Sequence, residues 1–150
     1  MNYKYIIPII IIIIAVFSAY YVTENNVFKK NNTEKVNGTL SFDLPEGYKV
    51  VKQADNQVDI SNGDNIVNIY KLNSNDSVDV YKQKYSEQFT INDEPFSIEG
   101  VNKTVAKSAN DSIIKYWFVK NDTKLQIQMI SNEANSDKIA EKIINSFNVN

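Results

Sequence analysis

Apolar and polar positions divide the chain into three parts. Tyr5 to Val22 carries no charge and centres on six consecutive isoleucines, Ile9 to Ile14. From Thr23 to Gly38 only Val27, Phe28 and Val36 interrupt a polar stretch rich in Asn and Lys. After Gly38 apolar and polar residues alternate, as in a strand with one buried face. Leu40, Phe42 and Leu44 predict a first strand, ended by the turn signal Pro45-Glu46-Gly47, and Tyr48, Val50 and Val51 predict a second. Val58 to Ser61 and Asp64 to Leu72 flank Asn62-Gly63, a dipeptide that favours the type I′ turn of a hairpin.

The period then changes. Val78, Tyr81, Tyr85 and Phe89 recur at spacings of three and four behind Asn75 or Ser77 as N-cap, which predicts a helix. Strand patterns return at Pro95 to Glu99, Val101 to Lys107, Ser112 to Lys120 and Lys124 to Ser131, the last two joined by a short turn at Asn121-Asp122-Thr123. A final helix is predicted from Ser136 as N-cap, with Ile139, Ala140, Ile143, Ile144 and Phe147 as its apolar stripe. Hairpin-linked strands imply antiparallel pairing, and two one-sided helices need an apolar surface to lie on. The expected fold class is α+β: a largely antiparallel sheet flanked by helices and preceded by one N-terminal transmembrane helix.

The expected organisation is a membrane anchor over 1–22, a polar tether over 23–38 and a single α+β domain over 39–150. As a helix, residues 5–22 would be roughly 27 Å long, close to the thickness of a hydrocarbon core. Tyr3 and Tyr5 at one end and Tyr20 and Tyr21 at the other suit the membrane interfaces. A secretory signal peptide cut before Ala19 is the alternative, since Val16 and Ser18 occupy the positions a signal peptidase inspects. Against it stand the length of the run and an n-region with one lysine. Lys4 faces Lys29, Lys30 and Lys35 across the segment, so charge counting alone slightly favours a cytoplasmic C-terminus. Six Asn-X-Ser/Thr sequons, at Asn31, Asn37, Asn75, Asn102, Asn110 and Asn121, argue for the opposite side. Chance would supply about two or three. The expected address is a single-pass cell-membrane protein with its C-terminal domain extracytoplasmic and those six residues as glycosylation candidates.

Composition narrows the chemistry. The sequence has no His and no Cys, which removes the usual general base near neutral pH, the thiolate nucleophile and sulfur-based zinc sites. All 16 basic residues are lysine, net charge is −2, and nucleic acid is not an expected partner. The four glycines form no phosphate loop. Asp93, Glu94 and Glu99, and separately Asp76 and Asp79, are the only acidic groupings dense enough to suggest a cation site, and none has an EF-hand spacing. Asp76 and Asp79 also suit a helix N-terminus. Tyr116-Trp117-Phe118 puts rings on both faces of one strand, so both faces should be covered. Trp117 is expected beneath a helix, with an exposed binding anchor as the alternative. No catalytic residue, cofactor or metal is expected.

Two segments carry a family resemblance. Leu40-Ser41-Phe42-Asp43-Leu44-Pro45-Glu46-Gly47-Tyr48 and the terminal Ala140-Glu141-Lys142-Ile143-Ile144-Asn145-Ser146-Phe147 resemble the opening and closing signatures of PsbP-like domains. The resemblance covers about Gly38 to Asn148. It implies an antiparallel sheet flanked by helices, as in accessory or binding proteins without activity of their own, and carries over no functional residue. In composition and anchor the chain is also similar to small surface proteins of AT-rich methanogenic archaea. The expected function is a membrane-tethered, non-catalytic accessory or binding module whose partner is an envelope protein or polymer. The alternatives are a carboxylate- or metal-dependent envelope enzyme using Asp93, Glu94 and Glu99, and a glycosylated structural surface protein.

Overall fold

The computed structural model describes residues 34–109, 112–130 and 135–150. The anchor at 1–22 and the sequons at Asn31 and Asn110 lie outside the described residues. Among those described, no helix is long and apolar enough to cross a membrane.

Ten strands and two helices make up the described chain: β1 (Lys35–Val36), β2 (Leu40–Asp43), β3 (Lys49–Ala54), β4 (Gln57–Ser61), β5 (Ile66–Lys71), α1 (Val78–Tyr85), β6 (Thr90–Glu94), β7 (Asn102–Lys107), β8 (Ser112–Lys120), β9 (Thr123–Ile130), α2 (Ser136–Ser146) and β10 (Asn148–Val149). Seven strands form one antiparallel sheet in the order β3-β4-β5-β9-β8-β7-β6, and β1-β2-β10 form a second, small one. The class is α+β, with mostly antiparallel sheets and two helices.

Strand parity decides what each face of the large sheet presents, because successive side chains point to opposite sides. Val58, Ile60, Val67, Ile69, Leu125 and Ile127 share one face and are all fully buried. That face meets the stripe of α2 (Ile139, Ala140, Ile143 and Ile144) together with Val36, Leu40 and Phe42 of the small sheet. Phe147 is buried but is not helical. It ends α2 in an extended conformation (φ −70, ψ 133), stacks on Phe42 at 5.7 Å and meets Phe118 edge-on at 5.7 Å. The amide of Asp43 donates to Ser146 Oγ at 2.9 Å, tying β2 to the last turn of α2. On the opposite face α1 covers the sheet only over β8, β7 and β6, where Tyr81 packs on Trp117 and Ala106.

Several local expectations are corrected. The polar stretch is not wholly tether: Lys35 and Val36 pair with β2, and Val36 is 2% exposed. A single apolar residue between Lys35 and Asn37 leaves no alternation to read. Between β4 and β5 the hairpin forms, but Ser61 pairs with Ile66, so the loop has four residues and is not the type I′ turn expected at Asn62-Gly63. Asn62 Oδ1 accepts from the amides of Asp64 (3.1 Å) and Asn65 (2.8 Å), and only Gly63 takes a positive φ, whereas type I′ needs two. The type I′ conformation occurs instead at Asn121-Asp122, with φ of 49 and 59, between paired Lys120 and Thr123.

The strand expected at Pro95 to Glu99 is replaced by β6, five residues earlier. β6 is a sheet edge with Ile91 as its only apolar residue, so it shows no alternation, whereas Phe96 lies in the following loop and packs on Tyr116 at 4.9 Å. Ser77 caps α1, its Oγ accepting from the Val80 amide at 3.2 Å, but Phe89 falls after the helix ends at Tyr85. Ser136 is the first helical residue of α2 rather than its cap, and Asn135 holds the cap position without a side-chain hydrogen bond.

Candidate functional site

Where α1 stops covering the sheet, a groove of about 320 Å³ opens against the strands. Its floor is set by register. Gln57, Tyr70, Gln126 and Trp117 are successive cross-strand partners on β4, β5, β9 and β8, and Asp59, Asn68, Gln128 and Lys115 form the next row. Directly opposed residues share a face with Cβ atoms about 5 Å apart, so two polar rows lie side by side in the middle of the sheet. The wall is α1, through Val80, Tyr81, Lys84 and Tyr85.

Within these rows the side chains divide into two sets. On the β4 side Asn68 Nδ2 donates to Asp59 Oδ1 (2.9 Å), and Gln57 Nε2 donates to both Asp59 oxygens (2.9 and 3.0 Å), so this set is bonded to itself. Towards α1, the side chains of Gln126, Gln128 and Lys115 have no hydrogen bond or ion pair among the described residues. Gln126 is nevertheless only 5% exposed and lines the groove. Its amide offers two donors and one acceptor to whatever enters. The Lys115 ammonium lies 3.9 Å from the Tyr81 ring centroid and 5.5 Å from that of Trp117. Burial, with no carboxylate to offset it, pulls the Lys115 amine down to about 8. Burial also holds Tyr81 above its usual range, with a further push from Tyr85, and Tyr70 likewise, with a further push from Asp59.

The other charged cluster is structural. Lys103, 9% exposed, reaches Glu94 and Asp137, each at 3.0 Å, and Tyr116 donates to Asp137 at 2.6 Å. Ser97 hydrogen-bonds Glu141 nearby. Together these contacts hold the start of α2 to β6, β7 and β8.

The acidic residues singled out in the sequence do not converge. Asp93 and Glu94 are neighbours on β6 and so face opposite sides: Asp93 pairs with Lys82 of α1 and Glu94 with Lys103. Asp76 Oδ2 accepts from the Asn73 amide, and Asp79 sits in the first turn of α1. Glu99 lies in the exposed loop before β7. Among the described residues no group of three such side chains could hold a metal ion. Trp117 is buried beneath α1, and its Nε1–H donates to Thr104 Oγ1 at 3.1 Å, so it packs rather than anchors. Asn37, Asn75, Asn102 and Asn121 are each exposed and lie far apart along the chain.

Lys115, Gln126, Gln128 and Tyr70 escaped the sequence reading. Lys115 did leave a signal, as the one charge among Ile113, Ile114, Tyr116, Trp117 and Phe118. The two glutamines alternate with Leu125, Ile127 and Met129 as any solvent-facing set would, and nothing in the sequence marks that side as partly roofed.

No protein-family model matches the chain, and no curated protein does. Among solved structures the chain is similar to a crystal structure from Bacteroides thetaiotaomicron VPI-5482, at 11% identity and a TM-score of 0.42, over 75% of this chain and 45% of that one. It thus spans less than half of that protein's length. It is also similar to the solution structure of cyanobacterial PsbP (CyanoP) from Synechocystis sp. PCC 6803, at 10% identity and a TM-score of 0.45, over 78% of this chain and 92% of that one.

Proposed function

We propose that this protein is a non-catalytic binding module, held on the outer face of the cell membrane by residues 5–22, whose groove beside α1 receives an envelope protein or polymer. The observation that carries the reading is Gln126, nearly buried, lining the groove and making no side-chain hydrogen bond among the described residues. Among the described residues no side-chain polar atom is both sealed from solvent and unpartnered, so the Gln126 amide opens to the groove and is free to bond what enters it. The uncharged N-terminal run and the polar stretch after it support the address. The sequons at Asn31, Asn37, Asn75, Asn102, Asn110 and Asn121 are proposed glycan acceptors on the exposed side. The accessory role implied by the PsbP-like resemblance agrees with this reading, and the carboxylate-enzyme alternative loses its site with the separation of Asp93 from Glu94.

Photo-crosslinking on native membranes tests the groove. A benzophenone side chain at Tyr85 should capture an envelope component that the same probe at Lys138, on the outer side of α2, does not. Equal capture from both positions would remove the groove as the binding surface. For the address, protease added to intact cells should remove residues 23–150, and the membrane form should begin at Met1. A mature chain beginning at Ala19 would replace the anchor with a signal peptide.

A further inference from the structure

Resting on the binding-module reading, we infer that the groove ligand is an acidic sugar residue, a uronic acid of an envelope polysaccharide, with its carboxylate on Lys115 and its hydroxyls on Gln126 and Gln128. Four observations lead there. First, Lys115 stands on the groove floor among aromatic rings, with no carboxylate partner among the described residues. A partly desolvated ammonium attracts an anion more strongly than one in open water. Second, the neighbours of Lys115 are neutral amides in register, Gln128 directly across from it and Gln126 on the adjacent row. Amides that both donate and accept match hydroxyl groups rather than a second charge. Third, Tyr70 and Tyr85 are half-buried at the groove, each with an apolar ring and a polar tip, as the flat face and hydroxylated rim of a sugar require.

The fourth observation concerns what the groove lacks. A phosphate group favours a guanidinium fork, a free helix N-terminus or several converging lysines. The chain has no arginine, the N-terminus of α1 is capped by Ser77 and flanked by Asp76 and Asp79, and the second lysine of the groove, Lys84, is exposed on α1 rather than set on the floor beside Lys115. An extended peptide is held by an open strand edge, but β5, β9 and β8 are central strands whose backbone groups are paired on both sides. A single carboxylate on a hydroxylated ring is the chemistry that one half-buried ammonium beside two amides fits best.

The test is a calorimetric titration of the full chain in mild detergent. The probes are oligomers of galacturonate, glucuronate and mannuronate, the methyl ester of each, the free monosaccharides, and a peptide with a free C-terminal carboxylate. At least one uronate oligomer should bind, with its ester at least tenfold weaker. Lys115→Gln should abolish the preference for acid over ester, and Gln126→Leu should weaken both forms. Binding of the monosaccharide as tightly as its oligomer would show that one residue fills the site, and tighter binding of the oligomer that a polymer is its source. Either supports the inference. Equal binding of acid and ester, binding of the peptide in place of the sugars, or no binding of any probe would overturn it. In each of those cases the crosslink from Tyr85 decides separately whether the groove is still a binding surface.

Discussion

The two faces of the large sheet are built by the same strands and differ in almost every property. On β9, Leu125, Ile127 and Met129 are at most 1% exposed under α2, while Gln126 and Gln128, one residue away each time, look into the groove beside α1. The first face is sealed by an eleven-residue helix with four buried aliphatic residues and by a second small sheet. The other is roofed in part by an eight-residue helix whose only buried side chain is Tyr81. The packed core and the open groove are thereby assigned to opposite parities of one strand pattern. The half-buried Lys115 of the groove costs stability, and the sealed face supplies it.

The largest test of that division is Phe147→Ala. Phe147 is 1% exposed and touches Phe42 and Phe118, so its loss should cost about 3 to 5 kcal/mol, out of a total near 5 to 15 for a domain of this size. Chemical denaturation measures it directly. A cost below about 1 kcal/mol would mean that α2 and the small sheet do not hold the domain together.

Asp137→Ala should come next, at about 1 to 3 kcal/mol, because Asp137 accepts from both Lys103 and Tyr116 and its removal leaves Lys103 with Glu94 alone. Burial pulls the Lys103 amine down, but hydrogen bonds to Asp137 and Glu94 outweigh it and hold the group above its ordinary 10.5. A raised value in the folded state stabilises fully below the unfolded value and is lost as pH rises through the folded one. Tyr116 acts in the same direction, raised first by burial and then by its bond to Asp137. The gap between wild type and Asp137→Ala should therefore be constant through neutral pH and narrow only above about pH 10. Narrowing near pH 8 would place the relevant titration elsewhere.

The groove face should answer with the opposite sign. Lys115→Met should stabilise the empty domain at pH 7 by about 1 kcal/mol. The shift to about 8 would correspond to more, but solvent on the open side screens part of the penalty and the Tyr81 ring offsets some of it. For a lysine with a lowered folded value the unfolded chain holds the proton more tightly. The penalty is thus complete below about pH 8 and disappears as pH climbs from there to 10.5. The groups facing Lys115 are Tyr81, Tyr85 and Lys84 from α1, Tyr70 from β5 and Asp76 from the preceding loop. Tyr70 and Tyr81 are themselves raised, so neither ionises before an ordinary tyrosine would. Denaturation curves at pH 7 and pH 10 should show the advantage of the variant shrinking.

Much of this contrast was legible in the sequence. Alternation placed β2, β7, β8 and β9, and the stripe Ile139, Ala140, Ile143 and Ile144 placed α2 on an apolar surface. What local pattern could not supply was anything decided between distant segments. β6 carries one apolar residue because an edge strand is supported by pairing with β7 rather than by burial. The turn at Asn62 was misread because its side chain accepts backbone amides in competition with the type I′ conformation. The groove was invisible because glutamines alternating with aliphatic residues look the same whether the polar side meets water or the flank of a helix.

The smallest expected effects fall on outward-facing residues, where neither face is involved. Lys138 and Lys142 are exposed on α2. None of the two lysines makes an ion pair among the described residues, so Lys138→Ala and Lys142→Ala should each change stability by no more than about 0.5 kcal/mol. These substitutions sharpen the comparison by setting its zero: a helix that packs by one stripe and is tied down through Asp137 and Glu141 must tolerate change on its solvent side. If Lys142→Ala cost as much as Asp137→Ala, α2 would be buried on more than its stripe, and the sealed face would no longer account for the stability of the domain.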